Sequence, residues 1–220
     1  MAVSAISVSV EKRSPGRVLP LGGVAFVVLV VFAFAGLSSD TPGIEDSAST
    51  INAFYDAHHW KEIVAALLVA ASTPFLVVFG TSLASALWPT DRAHRPFWQV
   101  VVAGGSALAG ASWILAAVIH FTLADAADQK GMSGSALQTL NALDADTWIA
   151  FNGGMGVLML GAAGALLARK VHPVLGWIAL LDGILLFIPY ADFFGLIVSG
   201  LWIIVTSVLL FRRGATLADA

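Results

Sequence analysis

From Val174 to Phe211 the chain reads VLGWIALLDGILLFIPYADFFGLIVSGLWIIVTSVLLF. These 38 residues hold only two acids, Asp182 and Asp192, and Arg212 and Arg213 follow directly. One helix over the whole stretch would run about 57 Å, roughly twice the 30 Å of a hydrocarbon core. Pro189, Tyr190, Ala191 and Asp192 place a helix breaker, an interfacial aromatic and an acid near its middle. The stretch therefore predicts two membrane-spanning helices joined by a tight turn.

The remainder of the chain is built to match. Hydrophobic residues make up 58% of the 220, charged residues 11%, and the mean hydropathy is +0.87. A soluble domain carries roughly a quarter charged residues, so this chain lacks the polar surface for water. In lipid each backbone amide must be satisfied inside the protein, which leaves helix bundles or closed barrels. The apolar runs here are continuous and about twenty residues long, whereas barrel strands alternate over about ten. The predicted fold is an all-α polytopic bundle of six spans, at 19–37, 62–88, 97–123, 147–167, 174–188 and 193–211. A short segment, 1–18, precedes the bundle and a tail, 212–220, follows it. Absence of cysteine excludes a disulfide framework, a thiolate metal site and a cysteine nucleophile.

Charge sets the expected orientation. Nine of the eleven Lys and Arg (12, 13, 17, 92, 95, 169, 170, 212 and 213) fall on one side of a six-span arrangement, and only Lys61 and Lys130 on the other. The positive-inside rule then puts both termini in the cytoplasm. Acids dominate the opposite side: Asp40, Glu45, Asp46 and Asp56 in segment 38–61, and Asp125, Asp128, Asp144 and Asp146 in segment 124–146. Ser49 or Thr50 is expected to cap a short helix in the first of these segments. Leu137, Leu140 and Leu143 predict a surface-lying helix in the second. The run ending Ala33-Phe34-Ala35 also fits a cleaved leader, but its length and the charge balance favour a retained span.

Within the spans, Pro74 predicts a kink whose freed carbonyl takes a hydrogen bond from Ser72 or Thr73. Ala103, Ala107 and Ala111 recur every four residues, as do Ser106 and Gly110. Such a face is expected to let the third span approach the fourth through Gly161, or to dock a partner protein or a second copy.

Chemistry is sparser. The chain has no GK[ST] phosphate loop, GxGxxG, GxSxG or HExxH string. Basic residues sit in pairs at helix ends, not along a nucleic-acid groove. Asp182 lies about 12 Å into its span, where a charged carboxylate costs about 3 kcal/mol, so it must face the bundle and find a donor or be protonated. Ser72 and Thr73 lie at a matching depth and are its expected partners. This group reads either as a proton or ligand site or as hydrogen-bonding between helices. Asn152, beside Gly153 and Gly154, is a further candidate for lining a polar pocket. At the acidic side, Asp56 with His59, and His58 with Glu62, share helical faces, and His120 ends the third span. Imidazoles and carboxylates so placed suit a zinc or copper ion. They also suit plain interfacial packing of the kind expected for Tyr55, Trp60 and Trp148. A bilayer-spanning haem is disfavoured, because His94 and His172 lie in loops and leave no inner helical histidine to serve it.

The segments HPVLGWIALLDGILLFIP, LWIIVTSVLLFRR and AFYDAHHW together resemble a family of uncharacterised polytopic membrane proteins common in actinobacteria. The resemblance implies a bacterial inner membrane and this topology, and carries no activity. Three functions stay open from sequence. The first is a protein binding or passing a small ligand or lipid through an outward-facing polar pocket. The others are a metal-dependent membrane enzyme at that face and a non-catalytic scaffold or accessory subunit.

Overall fold

The computed structural model describes residues 18–37, 40–88, 97–127 and 132–213. The basic loop bearing Arg92 and Arg95, together with Lys12, Arg13, Arg17, Lys130 and the 214–220 tail, lies outside the described residues. Six α-helices make up the described chain: α1 Gly22–Val31, α2 Ala48–Ala86, α3 Phe97–Ala127, α4 Gly134–Ala168, α5 Pro173–Leu185 and α6 Asp192–Arg213. A 3₁₀ turn, Leu19–Leu21, leads into α1, and a wide π turn, Phe32–Leu37, extends it. Each helix packs on its successor, and α6 closes back on α1. Five of these segments, counting Leu19–Leu37 as one, are long and apolar enough to cross a membrane; α5, at 13 residues, is shorter.

Three helices are longer than their apolar runs. α2 starts at Ala48, fourteen residues before the expected boundary, because nothing in AFYDAHHW breaks a helix. Its cap is Ser47, whose hydroxyl accepts from the Thr50 amide at 3.2 Å, so the expected cap at Ser49 or Thr50 moves two residues or more upstream. α4 likewise starts at Gly134, capped by Ser133. The 134–146 segment is thus the first third of a long helix and not a separate surface helix. Leu137 is buried against α2 and α3, while Leu143 is exposed.

These extensions form a small core of their own at the acidic end, from Ile51, Tyr55, Ile63, Leu123, Ala124, Ala127 and Leu137. Asn141 and Gln138 tie the 40–47 loop down onto it through the carbonyls of Pro42, Gly43 and Asp46. At the basic end, Gln99 and Arg169 both donate to the carbonyl of Leu87, at 2.5 and 3.0 Å. That pair of hydrogen bonds sets the ends of α2 and α4 and the start of α3 at one level. A cation there also complements the carbonyl end of α2.

Helix packing corrects the small-residue expectation. α3 meets α4 through Gly105 and Ala109, not through Ala103, Ala107 and Ala111. A Cβ on Gly105 would strike the Leu158 backbone, and one on Gly154 would strike the Ala109 backbone. Gly161 does lie on this seam, with a would-be Cβ 2.9 Å from the Val102 nitrogen. The Ser106–Gly110 stripe faces α2 instead, against Gly80 and Thr73. Ala107 and Ala111 are exposed.

Candidate functional site

Glu62, His120 and Asp144 stand at nearly equal counts from Ala86, Phe97 and Ala168, about 35 Å from the basic end of the bundle. They meet there. His120 Nε2 is 3.1 Å from Glu62 Oε2, and Nδ1 is 2.8 Å from Asp144 Oδ2. Glu62 is wholly buried, whereas the imidazole and the Asp144 side chain keep 17% of their surface. Tyr55, two helical turns before Glu62 on α2, sets its ring edge-on to the imidazole at 5.9 Å. The two ring nitrogens point to opposite sides, so one carboxylate sits on each and no single ion can touch all three groups.

The expected metal constellation is otherwise dispersed. His58 Nδ1 bonds the Phe54 carbonyl at 2.9 Å and its ring stacks on Phe54. His59 Nδ1 is 3.2 Å from the Ala124 carbonyl. Asp56 is exposed. Among the described residues, no group of three or more His, Asp and Glu is arranged to hold a metal ion.

Two cavities open beside the His120 cluster. The first, about 790 Å³, is walled by His120, Asp144, Asp40, Thr41 and Thr147, with small residues of α2 and α3 beneath them. The second, about 1000 Å³, runs between α1, α4 and α6, and its wall is nearly all aliphatic and aromatic. Phe34, Trp113, Ala145, Trp148 and Phe193 line both, so the cavities share a neck. Three of these rings form one cluster, with centroids 5.4–5.9 Å apart. Phe34 reaches it from the π turn, a widening of the helix that recurs at functional sites. The Trp113 ring also stacks on Phe151 at 4.1 Å, and its indole N–H is buried without a partner. A buried donor left unmade costs about 1–3 kcal/mol, which a bound acceptor removes.

Asp182 is 2% exposed and faces the bundle. Its partner is not Ser72 or Thr73. Ser199 of α6 donates to Asp182 Oδ2 at 2.5 Å, and Oδ1 has no partner. Ser72 and Thr73 both turn to the Val69 carbonyl, at 2.7 and 3.5 Å, one residue before the carbonyl that Pro74 frees. Each hydroxyl has a single proton, and donating it back within the same helix leaves none for Asp182. Asn152 donates to Asp192 Oδ2 at 2.7 Å, fixing the start of α6 to α4, while its own carbonyl oxygen stays unpartnered. Asp192 and Ser199 both line the apolar cavity.

Sequence reading placed Glu62 and His120 among the candidate ligands at this end, and Asp144 only among its loop acids. Counting residues inward from each basic helix end puts all three in one layer, and that signal was available. Trp113 and Ser199 had no such marker. No protein family, curated protein or solved structure matches the chain.

Proposed function

We propose that the protein is a multi-pass protein of a bacterial inner membrane that binds a lipid-like amphiphile from the outer side. The confluence of the two cavities carries this reading. A polar chamber and an apolar groove of similar size share one aromatic neck, which suits a molecule with a polar end and a hydrocarbon end. With the basic end at the inner interface, the His120 cluster lies about 35 Å away, just past a 30 Å core. The groove then lies in the outer half of the hydrocarbon. Clustering of Lys and Arg at one end, and the resemblance of the closing hairpin to actinobacterial membrane proteins, support the orientation and the compartment.

Native mass spectrometry of detergent-purified protein tests this. Wild-type protein is expected to retain co-purified lipid through extensive delipidation. Ala145→Trp fills the neck and is expected to lower that retention by about an order of magnitude or more, since a filled pocket forfeits the buried contact area. Equal retention by both proteins overturns the reading.

A further inference from the structure

Resting on that reading, we infer that the polar end of the ligand is an ammonium group. Charge on the chamber wall is the first ground. Asp40 and Asp144 line it, Glu62 stands behind His120, and no Lys or Arg is among the described residues that line it. A singly protonated imidazole leaves the Glu62–His120–Asp144 trio at two negative charges, and an imidazolium leaves it at one. In either state, Asp40 adds another. Such a wall repels phosphate, sulfate and carboxylate heads and attracts cations.

Aromatic faces are the second ground. Trp113, Trp148 and Phe34 stand directly below the acids at the neck. Indole faces attract ammonium groups, alkylated ones above all, because these shed water cheaply and gain from the ring quadrupole. Acids alone also suit a hydrated metal ion, but among the described residues the donors do not converge on one point. Rings and acids together on a wall that continues into an apolar groove select a cation carrying a chain. The unpartnered Trp113 N–H adds an acceptor to that description. His120 and Trp113 are seven residues apart on α3, so this donor lies about 10 Å below the acids. An ester, amide or ether oxygen between head and chain falls within its reach.

The test compares three single-chain amphiphiles of equal length, dodecyltrimethylammonium, laurate and dodecyl maltoside. Each is titrated below its micellar concentration into protein held in amphipol, with binding followed by calorimetry. The ammonium compound is expected to bind about tenfold or more tighter than the other two, the span of one good ion pair or cation–π contact. That preference is expected to shrink in Asp144→Asn and with added salt, while maltoside binding stays unchanged. Asp40→Asn, at an exposed position, gives the same readout should Asp144→Asn fail to fold. Equal binding of all three, weakened throughout by Ala145→Trp, overturns the ammonium head and leaves the amphiphile site standing. Preference for laurate overturns it as well. Binding that is equal for all three and unaffected by Ala145→Trp removes both.

Discussion

Asp182 shows how a single buried carboxyl is accommodated by a hydroxyl in place of a cation. Its Oδ2 accepts from Ser199, which links α5 to α6, and Gly195 lets α6 come close, with a would-be Cβ 3.0 Å from the Leu186 side chain. Asp182→Asn keeps an acceptor for Ser199 and is expected to change the melting temperature in detergent little. Asp182→Leu strands the Ser199 hydroxyl and is expected to cost about 1–2 kcal/mol, read as a lower melting temperature. Equal melting of both variants would show that the Ser199 bond contributes nothing. Depth and burial of this residue were legible from its distance into an apolar run, since a mid-span acid has nowhere else to point. Its partner was not. Ser72 and Ser199 are equally plausible donors by depth, and only the tertiary arrangement shows that Ser72 turns back on its own helix.

At the scale of elements, the break at 189–192 was legible because proline and a tight polar turn are local signals; α6 starts at Asp192, one residue before the expected span, and Tyr190 takes a left-handed φ of 67° in the turn. Helix ends beyond the apolar runs were not legible. Hydropathy reports where hydrocarbon is tolerated, whereas a helix continues until a cap or breaker stops it, as Ser47 and Ser133 do. The contact face of α3 misled for a related reason. Alanine every fourth residue marks a surface that permits close approach, but two such stripes and a third built on Gly105 and Ala109 compete, and spacing does not rank them. Gly105→Leu is expected to unfold the α3–α4 seam or cost about 3 kcal/mol or more, because the added carbons meet backbone. Ala107→Leu is expected to leave melting unchanged, since Ala107 is exposed. A lower melting temperature or a smaller oligomer for Ala107→Leu alone would instead reveal a partner on that face.

For the whole molecule, the proposed topology rests on α5, the shortest of the six apolar segments when Leu19–Leu37 is counted as one. Arg169 and Lys170 precede α5, while Arg212 and Arg213 end α6, so both pairs share one side if α5 and α6 cross and return. α5 alone covers about 20 Å, less than a 30 Å core. The turn through Ile188 lengthens the hairpin, and the Asn152–Asp192 bond fixes its tip to α4 about 24 Å from the basic end. Tyr190, 95% exposed at that tip, has the amphipathic ring suited to an interfacial anchor just above it. The natural absence of cysteine makes this readily measurable, because each introduced thiol is the sole one in the chain. In intact cells, Ala53→Cys and Ser135→Cys are expected to react with an impermeant thiol reagent, and Lys170→Cys only after the membrane is opened. All three positions are exposed in the structure, so protection cannot be ascribed to packing. Labelling of Lys170→Cys in intact cells, with Ala53→Cys and Ser135→Cys protected, would invert the bundle and put the acidic chamber in the cytoplasm. Tyr190→Cys at the hairpin tip is expected to react in intact cells as well, and its protection there would reduce the crossings to four and leave α5 and α6 dipping into the bilayer from the inner face.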